Sequence, residues 1–204
     1  MSLDTYTNLQ AAVAAWLPDA SLTSRIPDFI QLAETDCNTQ LRTRYQEARA
    51  QLNITGEYVT LPNDFREFRS GYLNSSPRRQ FEFMPNDQQT ALIVNNTVWG
   101  DCQKVYFSIQ GDSFRFAPVP TGGETAQIQY WAKIPPLAQN ATNWLLTNFP
   151  NVYLFGALYY ATIGRRDDAS IAGAKALFDD ELGKTMLEAK RARWGGNNMT
   201  MRAA

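Results

Sequence analysis

The sequence predicts an α+β fold: a helical bundle formed by the N- and C-terminal helices, with a small antiparallel β-module inserted between them. Three observations lead there. Apolar residues recur at three- and four-residue spacing through the first quarter of the chain and again through its last third. Between Leu52 and Trp131 the period shortens to two, and clusters of Gly, Pro, Asn and Ser punctuate the segments. The length of 204 residues suits one domain or two small ones.

The first helix follows from Tyr6, Leu9, Val13 and Trp16, with Thr5 as N-cap and Pro18 as stop. A second opens near Thr23 or Ser24 and tolerates Pro27 in its first turn. Its apolar stripe is Ile26, Ile30, Ala33, Cys37 and Leu41, continuing toward Tyr45 and Ala48. From Leu52 the pattern is that of strands. Leu52–Ile54 and Tyr58–Leu61 flank Thr55-Gly56-Glu57 as a hairpin. Phe68–Leu73 and Arg79–Phe83 flank the turn Asn74 to Pro77, and a short helix after Met84-Pro85 takes Asn86 as its cap. Lys104–Ile109, Ser113–Ala117 and Thr125–Trp131 complete about six strands, joined through Gly111-Asp112 and Pro120-Thr121-Gly122-Gly123. Pro135-Pro136 ends the module. The run from Pro150 to Ile163 is apolar nearly all round, as a core helix is. A last helix begins after Asp167-Asp168, carries the stripe Ile171, Ala174, Phe178, Leu182, Met186 and Ala189, and stops at Gly195-Gly196. Gly173 and Gly183 weaken that helix by up to about 1 kcal/mol each. The expected domains are residues 1–51 with 138–194 for the bundle, 52–137 for the β-module, and 195–204 as a C-terminal arm.

Composition narrows the chemistry. Nineteen Lys and Arg against twenty Asp and Glu leave a net charge of −1, unlike the basic surplus of a nucleic-acid binder. Histidine is absent, which removes the commonest general base and the commonest metal ligand. Cys37 and Cys102, without a CxxC motif, read as reduced or buried thiols rather than zinc ligands. No basic n-region precedes Leu9 to Leu17, and Val152 to Ile163 is far shorter than the roughly 20 apolar residues of a membrane span. A soluble protein that is neither exported nor membrane-bound is expected. Asp167-Asp168 and Asp179-Asp180-Glu181 are sequence neighbours that point in different directions on a helix, not an acid–base pair. GxGxxG, P-loop, GxSxG and SxxK patterns do not occur. No enzyme, cofactor or metal is expected.

Fourteen of the nineteen basic residues are arginine, the cation enriched at protein interfaces, where lysine is depleted. The clusters include Arg42, Arg44 and Arg49, then Arg66 and Arg69, Arg78 and Arg79, and Arg165 and Arg166. Weak surface salt bridges and inter-subunit ion pairs are both open readings of them. The stretch from Lys184 carries Lys190, Arg191, Arg193 and Arg202 against the single acid Glu188. Helix polarity accounts for Lys190 and Arg191. Trp194 beside a tail of small and polar residues points instead to a binding arm, because Trp and Arg are favoured contact residues.

Order and spacing across most of the chain resemble the head-to-tail adaptor (connector) proteins of tailed bacteriophages, particularly short-tailed ones. The similarity lies in YTNLQAAVAAWL with SRIPDFIQLAETDCNTQLR, where Tyr6, Trp16, Ile26, Pro27, Phe29, Ala33 and Leu41 fit. It continues in YVTLPNDFREFRSGYLN, FRFAPVPTGG, QIQYWAKIPPL and TNWLLTNFPNVYLFGALYYA, and ends in AKRARWGG, with Met84 to Gly100 matching least. The resemblance implies a structural virion protein that forms a ring, typically of twelve copies, between the portal vertex and the tail, assembled in the host bacterial cytoplasm. Its partners would be further copies of itself, the portal protein and a tail or nozzle protein. Double-stranded DNA would pass without specific binding. Carried onto this chain, the portal-binding arm is Lys190, Arg191, Arg193, Trp194, Met199, Met201 and Arg202. Inter-subunit candidates are Arg42, Arg44, Arg49, Arg165 and Arg166. The alternatives are another tail component, such as a nozzle subunit, and a stand-alone glycan- or peptide-binding module.

Overall fold

A computed structural model of the chain describes residues 3–94, 104–120, 124–165 and 168–194. In chain order its elements begin with α1 (Tyr6–Trp16), a 3-10 segment (Ala20–Arg25) and α2 (Ile26–Gln40), followed by β1 (Glu47–Asn53), β2 (Tyr58–Thr60), β3 (Phe65–Leu73) and β4 (Arg79–Phe83). Then come α3 (Asn86–Val94), β5 (Val105–Gln110), β6 (Ser113–Ala117), β7 (Thr125–Ala132), α4 (Trp144–Asn148), α5 (Pro150–Arg165) and α6 (Asp168–Trp194). The chain divides into two compact units, Met1–Gln46 with Lys133–Ala204, and Glu47–Ala132.

In the first unit, local chemistry sets the helix ends. The Thr5 hydroxyl accepts the Asn8 N–H at 3.3 Å and caps α1, which buries Leu9, Ala12 and Val13. Asn143 caps α4 by accepting the Leu146 N–H at 2.8 Å. Helix α5 packs against α1, α2, α4 and α6, and its all-round apolar surface follows from that central place: Val152, Tyr153, Leu154, Ala157 and Ala161 are all buried. At Gly156 a Cβ would lie 2.7 Å from the Ala33 Cβ of α2 and 2.8 Å from the Phe178 ring of α6. Only glycine lets the three helices approach that closely.

The second unit is a curled seven-stranded sheet in the order β1-β7-β3-β4-β5-β6-β2. Its inner face is a phenylalanine core: Phe68 lies 4.5 Å from Phe107, Phe107 5.0 Å from Phe114, and Phe81 5.6 Å from Phe116, between ring centroids. Register shifts between Phe65 and Glu67 and between Phe68 and Ser70 bend β3 against β7. Helix α3 is tied to the sheet by the buried Gln89, which donates to the carbonyls of Tyr106 and Arg115 and accepts from Ser108 at 2.7 Å. The outer face carries an amide ladder: Gln51 donates to Thr125 and accepts from Gln127, and Gln129 accepts from Ser70.

This architecture corrects the predicted fold class of an N- and C-terminal helical bundle around a small antiparallel β-module. The sheet has seven strands and is mixed, because β4 and β5 run parallel through Phe81–Val105 and Phe83–Phe107. A parallel pair needs a crossover connection, and α3 lies within it, so helices are not confined to the chain ends. The predicted hairpin across Thr55-Gly56-Glu57 is also replaced: β1 pairs antiparallel with β7 and β2 with β6. Helix α2 ends at Gln40, so Tyr45 does not continue it and Ala48 belongs to β1. The hairpins β3–β4 and β5–β6 do form, the latter on Gly111 at φ +57°.

Candidate functional site

The predicted contact residues fall into distinct settings. Arg42 follows α2, half-buried, and its Nη1 donates to the carbonyls of Leu41, Asn38 and Thr39 at 2.7, 3.3 and 3.4 Å. Its guanidinium thus closes a helix C-terminus, where positive charge is favourable. Arg44 is exposed. Its guanidinium lies 4.9 Å over the Tyr45 ring and donates to the Tyr45 hydroxyl at 3.0 Å, which raises its pKa above the ordinary arginine value. Tyr45 in turn stacks on Trp144 at 5.3 Å and meets Phe149 edge-on. Glu188 of α6 adds a smaller electrostatic contribution to Arg44, so this aromatic cluster and the C-terminal part of α6 are within electrostatic reach of each other.

Lys190 and Arg191 are exposed one turn further along α6. Arg193 and Trp194 are the last residues of that helix, with side chains outside the described ones. Met199, Met201 and Arg202, the Gly195-Gly196 stop and the whole 195–204 arm lie outside the described residues, as do Arg166, Cys102 and Asp167. Arg165 ends α5 and reinforces, behind hydrogen bonding from Ser21, the lowered carboxyl pKa of Asp19. Arg49 belongs to the other unit, exposed on the outer sheet face opposite Gln129.

Sequence reasoning missed the outward face of α6. Its inward stripe buries Phe178, Leu182 and Thr185. On the opposite side, helical periodicity aligns Ala169, Gly173, Ala176, Asp180, Gly183 and Leu187, and these residues are exposed. A Cβ added at Gly173 or Gly183 would meet nothing within 4 Å. The chain's own packing therefore does not require glycine there, unlike at Gly156. Lys190 and Arg191 continue the same face, and Lys184 pairs with Asp180 at 2.7 Å beside it. Other large apolar groups stand in solvent on the helical unit, notably Trp16 at 60% exposure and Leu177 at 52%. The available signal was the run of small residues out of phase with the predicted stripe.

Sequence reasoning also missed a buried carboxylate. Glu34 sits on the core face of α2 at 7% exposure. Its Oε1 accepts from Tyr153 Oη at 2.8 Å, the Leu137 N–H at 3.1 Å and Asn143 Nδ2 at 3.5 Å. Asn143 also donates to the Pro135 carbonyl and to Tyr153 Oη, both at 2.8 Å. Asn38, one turn on, accepts the Ile134 N–H at 2.8 Å. Together these bonds fasten the 134–143 segment to α2. Desolvation raises the Glu34 pKa, with the Tyr153 and Leu137 hydrogen bonds opposing it. Groups of three or more metal-ligating side chains do not occur among the described residues, and no described helix is long and apolar enough to cross a membrane.

Helix α6 thus has one packed face, one open face carrying small residues, and exposed cations near its end. The SU10 adaptor protein family model matches residues 4–202, and the chain belongs to that family. It is accordingly a phage adaptor protein, a structural component of the virion whose partners are in general the portal and the tail. No curated protein sequence matches it significantly.

Proposed function

We propose that this adaptor closes into a ring at the head–tail junction, of twelve copies as its resemblance to head-to-tail adaptor proteins implies, joining the portal vertex to the tail around a DNA channel. The observation that carries this reading is the outward face of α6. Its glycines answer to no neighbour inside the chain, so their small size suits close approach by a neighbouring copy. A ring needs two complementary, non-identical faces on each subunit. The open α6 face is one, and the exposed apolar groups of the helical unit, Trp16 among them, supply material for the other.

Arg42, Arg44, Arg49, Arg165 and Arg166 are assigned to ion pairs between neighbours. Lys190, Arg191, Arg193 and Trp194, with Met199, Met201 and Arg202 of the 195–204 arm, are assigned to the portal. The net charge of −1 favours passage of DNA over retention, because phosphate contacts accumulate affinity. Assembly takes place in the host bacterial cytoplasm.

Native mass measurement of the purified protein, alone and mixed with portal, tests the reading. A discrete ring, free or portal-bound, is expected. A monomer under both conditions would overturn ring formation and return attention to a glycan- or peptide-binding role. Deleting residues 195–204 should abolish portal attachment, and unchanged attachment would remove the arm assignment. Tight, salt-sensitive binding of duplex DNA would contradict the channel assignment.

A further inference from the structure

A pocket of about 370 Å³ opens beside α2, with Glu34 in its lining. Its volume falls in the ordinary range for ligand sites, about 300–1,000 Å³. Among the described residues three hydrogen bonds converge on Glu34 Oε1, and Oε2 takes none. The second oxygen of this largely buried side chain is thus reachable from solvent and open to a donor. A carboxylate oxygen open in this way suits a donor-bearing cation, because charge-assisted hydrogen bonds are the stronger ones. Around it, the side-chain amides of Gln31 and Gln139 line the same pocket and make no hydrogen bond among the described residues. Their carbonyl oxygens are two further acceptors. Tyr6 and Pro136 supply flat apolar walls. Lys133, the one cation in the lining, is exposed and makes no salt bridge among the described residues.

We infer that this pocket is a receptor for a guanidinium group, an arginine side chain carried by a partner polypeptide. A guanidinium presents five donors in a plane, stacks on flat apolar surfaces and is less strongly hydrated than an ammonium, which matches acceptors set between flat walls. The inference rests on the pocket alone and not on the adaptor reading.

The test is an NMR titration of the full chain with N-acetyl-arginine methylamide, read at the backbone amides of Leu137 and Ile134, which hydrogen-bond to Glu34 and Asn38. Saturable shifts at millimolar ligand are expected. The citrulline analogue, which has the same shape without the charge, should bind about tenfold more weakly, the usual worth of charge assistance. Glu34→Gln, which retains the Oε1 acceptor, should lose affinity by a similar factor. Gln31→Lys places a cation at the rim without touching the buried network and should weaken binding even if Glu34→Gln folds poorly. Equal binding of the citrulline analogue, or undiminished binding by Gln31→Lys, would overturn the guanidinium assignment. Free arginine binding more tightly than the blocked form would overturn the polypeptide source.

Discussion

Replacing Gly156 and Gly183 by alanine, one at a time, applies the same chemical change to two helices of one unit and should shift stability in opposite directions. At Gly156 the new methyl would sit 2.7 Å from the Ala33 Cβ and 2.8 Å from the Phe178 ring. Ordinary carbon contacts are about 3.5–4.0 Å, so α2 or the ring must retreat by about 1 Å. Overpacking of that kind costs about 1–3 kcal/mol. Alanine recovers up to about 1 kcal/mol of helix propensity, leaving Gly156→Ala less stable by up to about 2 kcal/mol. At Gly183 nothing lies within 4 Å, so only the propensity gain remains, up to about 1 kcal/mol. Urea denaturation followed by far-UV circular dichroism reads both values. The same Gly183→Ala protein should assemble less well, because the added methyl intrudes on the face assigned to a neighbouring copy. A stabilised Gly156→Ala would contradict the packing of α2, α5 and α6. A Gly183→Ala protein that assembles like the wild type would refute the role given to the outer face of α6.

Further expectations concern the buried polar groups. Burial raises the folded-state pKa of Glu34 above the ordinary 4.5, so the folded state holds the proton more tightly than the unfolded chain. Its contribution to stability is complete below about pH 4.5 and is lost as pH rises through the raised value. The stability difference between wild type and Glu34→Gln, from denaturation curves at a series of pH values, should move in favour of the glutamine variant as pH rises, and a pH-independent difference would refute this. Arg115, whose side chain is 12% exposed, bonds Glu57 at 2.5 Å, Thr90 at 2.7 Å and Asn86 at 2.9 Å. Arg115→Ala should cost about 2–3 kcal/mol and accelerate hydrogen exchange in α3, with unaltered exchange counting against its anchoring role. Cys37 is fully buried and burial raises its thiol pKa. In a Cys102→Ser background it should resist maleimide in native buffer and react in denaturant, and rapid native labelling would contradict its burial.

Element identity was legible because it is written in local spacing, and pairing was not, because it is decided by distant residues. Thr55-Gly56-Glu57 carries hairpin chemistry, yet Leu52 sits opposite Ala126 and Val59 opposite Phe114. Each strand pairs with one far along the chain and not with its neighbour across the turn. The parallel β4–β5 contact has no short-range signature at all, since a crossover can carry any sequence that forms a helix. Alternation marked Lys104–Ile109 and Ser113–Ala117 as strands, and the structure buries Phe107, Phe114 and Phe116 on them.

The functional surfaces show the same division. Glu34 lies between Ala33 and Cys37 on the apolar stripe of α2, and an acid on a core face is the kind of exception that marks a site. Its spacing was readable, whereas the three donors that converge on one of its oxygens come from residues more than a hundred positions away. The α6 glycines are the sharper case. By propensity alone Gly156, Gly173 and Gly183 are the same helix-weakening residue. Only the neighbours separate them: one glycine is required by two helices of its own chain, and two face open space. A helix that accepts that loss of stability twice on its solvent face gains nothing from it as an isolated subunit. The tolerance makes physical sense when another backbone comes close on that side, which is why the assembly measurement on Gly183→Ala is more informative about function than any measurement on the folded monomer.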